Sequence, residues 1–238
     1  MTKEISKNKD REMIAIQIQK NKGRDYISPT QEDKELYQDA VKYFESIRKE
    51  LEKENLIPDE KILATNRRES MLWHYNIKSW NQFFDERQLL VLALFLKNIK
   101  KVCDKIDDKT YGGVIALYLS AILSKRVDMS GFGVHWNTPR ENPENVLALR
   151  QPRIVYNFAE SNPFEKSRGS LINITNNIVK GISFATRLQN QSKCDFQSVT
   201  TPSDIKYDLI LTDPPYSDDV IYGEFSEFFY VWVYRALK

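Results

Sequence analysis

Cysteine is scarce in this chain: Cys103 and Cys194 are the only two among 238 residues. They stand far apart with no CxxC, and neither His74 nor His135 has a second ligand at metal-binding spacing. No zinc site, other metal site or disulfide framework is therefore expected. Such cysteine usage suits a reducing, cytoplasmic setting. Long apolar runs are missing too. The longest, Leu89 to Leu96, falls far short of the about 20 residues that span a bilayer, and the first residues do not read as a signal peptide. No membrane partner is expected. A dominant charge is also lacking, since 35 basic and 33 acidic residues leave only +2. Binding to a polyanion has to come from local patches, not from the bulk field.

What is present reads first as helix. Residues 1–32 are polar and Lys/Asn-rich, with Pro29 near their end, and are expected to form a flexible arm. Residues 33–130 read as a mainly helical region. Leu36, Tyr37, Ala40, Val41, Phe44, Ile47 and Leu51 recur at helical spacing, and Asn55 and Pro58 close that helix. A second helix starts near Asp85, with Glu86 in its first turn, and runs through RQLLVLALFLKNIKKVCDKI. Tyr111-Gly112-Gly113 is expected to turn the chain into a third, Val114 to Lys125. Gly131-Phe132-Gly133 invites a nucleotide-loop reading, but no apolar strand precedes it and no apolar helix follows, so it reads as a plain loop. The two histidines read as packed or surface rings.

Residues 131–238 carry the chemistry. Arg140, Arg150, Arg153, Lys166 and Arg168 lie close in sequence to Tyr156, Phe158 and Phe164. That mix either holds phosphate and stacks bases or forms a solvated loop region. A helix is expected from Leu171 to Leu188 and a weak strand near Cys194 to Val199. Asp208 to Thr212 then reads as a short buried parallel strand. Pro214 and Pro215 end it, because proline has no amide hydrogen for a ladder. At such a strand end, the Asp213 carboxylate and the Pro214 carbonyl can accept both hydrogens of an exocyclic amine while Tyr216 stacks on the ring that bears it. Asp213-Pro214-Pro215-Tyr216 thus reads as a nucleobase-amine clamp. Behind it, Phe225, Phe228, Phe229, Trp232 and Ala236 share one helical face, expected to be core against a sheet.

The stretch TDPPYSDDVIYGEFSEFFYVW closely resembles the amino-methyltransferase signature of prokaryotic adenine-specific DNA methylases of the large, zinc-ribbon-associated group. Two upstream segments resemble the same group. Tyr75-Asn76-Ile77 through Trp80, Phe83-Phe84 and Arg87-Gln88-Leu89-Leu90 look like its YGI…W…LF…RQLL stretch. Arg150-Gln151 to Glu160, then Asn162-Pro163-Phe164, look like its RQ…E-x-NPF stretch.

The resemblance implies an α/β fold, a partial Rossmann-like methyltransferase sheet behind the mainly helical N-terminal part. It implies S-adenosylmethionine as cofactor, an adenine N6 in DNA as target, catalytic roles for Asp213, Pro214, Pro215 and Tyr216, and a place in restriction-modification or phage defence. This sequence departs from the group's pattern at four points. The zinc ribbon and the FxGxG cofactor loop are not found, Asn76 stands where glycine is usual, and the chain stops before the later strands. A split or truncated enzyme is the expectation, with a second polypeptide carrying the cofactor loop. The alternatives are an RNA guanine-N2 methyltransferase, and an inactive remnant or nucleic-acid-binding subunit.

Overall fold

Side-chain caps start the helices. The structure, a computed structural model, describes residues 11–21, 23–63, 71–149, 152–187, 193–198, 200–202, 205–214 and 222–238. Thr30 Oγ1 accepts from the Asp33 amide and Asp33 accepts from the Thr30 amide, a reciprocal cap that opens α1 (Gln31–Lys53). Asn55, at φ 55°, ends it in the left-handed conformation that asparagine tolerates better than most residues. Asp85 and Gln88 repeat the reciprocal cap at the start of α2 (Glu86–Asp104). Its buried Leu89, Leu92, Ala93, Leu96 and Ile99 form one stripe. Asp108 accepts from the amides of Thr110 and Tyr111 and opens α3 (Lys109–Asp128). The turn expected at 111–113 is therefore inside a helix: the Asp108 cap together with the packing of α3 on α2 offsets two glycines, each worth about 1 kcal/mol of lost helix propensity. Ser170 caps α4 (Leu171–Ala185), and α5 spans Tyr222–Leu237.

The described strands are few. β1 (Ile16–Gln19) and β2 (Arg24–Ile27) form an antiparallel hairpin with Ile16 opposite Ile27. A hairpin therefore occupies part of the stretch expected to be a flexible arm. Tyr26 meets Trp136 edge-on, centroids 5.9 Å apart, and Arg24 donates to the carbonyls of Arg140 and Glu141. β3 (His135–Asn137) and β4 (Asn142–Glu144) form a second antiparallel pair.

The fold is thus mixed α/β and mostly helical, and the Rossmann-like parallel sheet is not found among the described residues. The expected strands at 194–199 and 208–212 are unpaired across the residues described there. Leu209 and Ile210 are each 71% exposed and Leu211 85%. A doubly buried parallel strand needs neighbouring strands and crossover helices. None of the described residues provides them.

Helices α2 and α3 pack together, α1 lies on α2, and α4 and α5 lie on α3. α5 also reaches α2 and the short 3-10 turn Trp80–Phe83; a second 3-10 turn spans Met71–Tyr75. The Phe228 ring lies 5.4 Å from Trp80, 5.6 Å from Phe83 and 5.9 Å from Phe84, stacked on the last. Trp232 meets Phe84 edge-on at 5.7 Å. Each such pair contributes about 0.5–1.5 kcal/mol beyond simple burial. The aromatic face of α5 is core, as expected, but against helices and 3-10 turns and not a sheet. Arg235, fully buried, donates to Glu60 at 2.6 Å and to the Ile57 carbonyl at 3.4 Å, which ties α5 to the segment after α1.

Candidate functional site

Of the three blocks that carry the resemblance, the segment 75–90 touches both residues of 152–164 and residues of α5. From the first block, Arg87 donates from Nε to Glu160 Oε1 at 3.1 Å and from Nη2 to Oε2 at 2.8 Å. This two-point pair reaches the second block, and the Tyr37 ring lies 4.9 Å from the same guanidinium. Neighbouring Gln88 accepts from the Gly131 amide at 2.8 Å. The third block joins through Phe228 on Phe83 and Phe84. Asn76 has φ 59°, the left-handed region where glycine is the easiest fit and asparagine a tolerated one.

The second block uses its residues in turn. Ser161 accepts from buried Arg126, whose guanidinium also donates to the Gly169 carbonyl at 2.6 Å. Burial pulls Arg126 down to about 10, with the Glu160 charge opposing. Asn162 Oδ1 accepts from the Phe164 amide at 2.9 Å, a side-chain turn. The Pro163 carbonyl accepts from Leu171 at the start of α4.

Of the expected clamp, Asp213 and Pro214 are described and exposed. Pro215 and Tyr216 lie outside the described residues, so the clamp's stacking ring is not placed. Among the described residues, no sheet edge backs Asp213. The buried α5 begins at Tyr222, nine positions after it.

The expected basic and aromatic cluster is divided. Arg140 and Arg168 both pair with Glu144, at 3.2 and 3.0 Å. Phe158 packs edge-on against buried Phe132, and Arg150 lies outside the described residues. Arg153 and Tyr156 instead line a groove of about 470 Å³ with Met71, Tyr75, His135 and Ile154. Tyr75 meets Tyr156 edge-on, with centroids 6.4 Å apart. Burial, then Tyr156, raises the Tyr75 phenol above its ordinary value, and the Arg153 cation opposes them. Tyr75 and His135 come from distant segments, and the sequence offered no signal joining them to Arg153. His135 Nδ1 is buried with no hydrogen-bond partner, in keeping with a packed ring, whereas His74 is exposed.

The Gly131-Phe132-Gly133 loop does not suit a cofactor. A Cβ built on Gly133 would lie 2.9 Å from the Arg153 carbonyl and 3.0 Å from the Phe83 ring, so protein fills the space a ligand would need. Among the described residues, nothing forms a glycine-rich cradle for S-adenosylmethionine. Within the same residues no cluster of three His, Cys, Asp or Glu side chains is placed to hold a metal, and no helix is long and apolar enough to cross a membrane. Compared with protein-family models, curated proteins and solved structures, the chain has no significant match.

Proposed function

We propose that this chain is the target-base part of an S-adenosylmethionine-dependent DNA adenine-N6 methyltransferase, completed by a second polypeptide that holds the methyl donor. The observation that supports the reading is that the segment around Arg87 packs against each of the two others that carry the resemblance. Arg87 grips Glu160, and Phe228 stacks on Phe84, so residues spread over the chain behave as one unit. The Asp213 carboxylate and the Pro214 carbonyl accept the two hydrogens of the adenine amine and turn its lone pair away from the ring plane. This is a positioning and electrostatic role, with no base catalysis. The target base leaves the duplex to reach such a clamp.

Two features support a second polypeptide. The glycine loop of this chain is filled by its own side chains and backbone. The apolar run Leu209 to Leu211 stands in water, although burying each such side chain is worth about 1.5–3 kcal/mol. A parallel sheet supplied in trans recovers that energy and places Asp213 at a strand end.

The test is transfer of tritiated methyl from S-adenosylmethionine to unmethylated DNA by the chain together with the product of its adjoining reading frame. Incorporation at adenine N6 that Asp213→Ala abolishes supports the reading. Incorporation into RNA alone, or turnover unchanged by Asp213→Ala, overturns it.

A further inference from the structure

The groove lined by the Tyr75–Tyr156 pair has the chemistry of a seat for one unstacked nucleotide. Its aromatic wall stands on a fixed backbone: Val155 donates to the Phe132 carbonyl and Ala159 to the Val134 carbonyl, both at 2.8 Å. Between the two side chains that face outward, Ile154 is buried and anchors the strip. Tyr156 nonetheless remains 76% exposed, and Arg153 is exposed as well. A large ring held in water on a rigid backbone loses little entropy when something flat stacks on it.

Charge separates this groove from its surroundings. Arg87, Arg140 and Arg168 each pair with a carboxylate, whereas Arg153 pairs with none among the described residues. Among the described residues no acidic side chain lines the groove, and Asn157 adds an amide that both donates and accepts. An aromatic face, a guanidinium with no carboxylate partner among the described residues and an amide together match a base, its phosphate and its edge.

We propose that this groove binds a single nucleotide of DNA whose base is unstacked, with the base on the exposed face of Tyr156, beside Tyr75, and the phosphate on Arg153. A base inside a duplex has both faces covered, so the occupant is single-stranded DNA or a strand opened beside the target. The choice of DNA rests on the proposed function. The stacking site itself does not.

The test is fluorescence anisotropy of a labelled 12-nucleotide single-stranded DNA with the full chain. Tyr156→Ala is expected to weaken binding at least about fivefold, the low end of what one stacked base is worth, while Tyr156→Phe keeps it. Arg153→Ala is expected to reduce the slope of log affinity against log salt by about 0.7, one phosphate contact on a single strand. Both side chains are exposed, so an unchanged thermal melt shows that the variants fold.

Affinities within twofold of the parent for Tyr156→Ala and Arg153→Ala, or no binding of the parent chain, overturn the site. Tighter binding of the same-length RNA overturns its assignment to DNA. If Tyr156-dependent DNA binding persists while no assembly transfers a methyl group, the groove stands and the enzyme reading falls. The reverse pattern leaves the enzyme and removes the groove.

Discussion

Gly131 has no side chain where Phe83 has its carbonyl: a Cβ built on Gly131 would sit 2.9 Å from that oxygen and 3.0 Å from the Phe83 ring. The backbone there is also left-handed, at φ 91°. Gly131→Ala combines left-handed strain of about 1–2 kcal/mol with overpacking of similar size, so a loss of more than about 2 kcal/mol is expected. Gly113, exposed in α3 with open space around it, predicts the opposite sign. Gly113→Ala is expected to stabilise the fold by about 0.5–1 kcal/mol. Urea unfolding of the two variants checks both, and a shared sign would refute the placement of these glycines.

The Arg87–Glu160 pair is two-thirds or more buried on both sides. Hydrogen bonds to charged groups are worth about 1.5–3 kcal/mol where burial keeps water out. Glu160→Gln keeps one acceptor and is expected to lose about half of what Glu160→Ala loses. A double-mutant cycle with Arg87→Ala measures the coupling directly, expected above about 1 kcal/mol. A coupling near zero would mean that the first two blocks are not held together by this pair.

Tyr37 donates to Asp85 at 2.8 Å. Burial first, then the Asp85 charge, raises its phenol well above the ordinary 10.0. The folded state therefore keeps a proton that the unfolded chain gives up. The stabilisation from this group is full below pH 10 and falls as pH climbs above 10. Denaturant midpoints between pH 8 and 11 are expected to drop on the alkaline side for the parent chain and to drop less steeply for Tyr37→Phe. Parallel slopes would remove Tyr37 as the cause.

Ile210 is exposed in this chain. Ile210→Asp is expected to leave the thermal midpoint of the isolated chain nearly unchanged, within about 0.5 kcal/mol of stability, as for an ordinary surface change. The same substitution is expected to prevent assembly with the second polypeptide and to abolish methyl transfer, because a carboxylate cannot enter a buried sheet unpaired. Co-elution of the variant with that polypeptide would show that the run 209–211 is not the docking strand.

Helices were legible because their signals are local. The apolar spacing from Leu36 to Leu51 and the start near Asp85 lie within a few turns of sequence, and the caps Thr30 with Asp33 and Asp85 with Gln88 in the structure are as local. The aromatic spacing of Phe225, Phe228 and Trp232 reports its own buried face. Strands were not, since pairing depends on a partner far along the chain. The run at 208–212 has strand composition and no described neighbour, while the hairpin at 16–27 arose in a stretch that reads as polar. The Tyr111-Gly112-Gly113 turn failed because glycine punctuation was weighed without the Asp108 cap. At the candidate site, Arg153 and Tyr156 were visible as a base-and-phosphate mix. Tyr75 and His135 were not, because only tertiary structure brings them there.

The clip from Arg235 to Glu60 spans 175 positions, and Phe228 covers Trp80 and Phe83 across a similar stretch. During synthesis at about 5–20 residues per second, those rings wait roughly 7–30 s for the helix that shields them. Until then they form a sticky surface on a growing chain. Production of this protein should consequently respond to elongation speed and to chaperone supply more than its helix-rich, fast-folding local structure suggests.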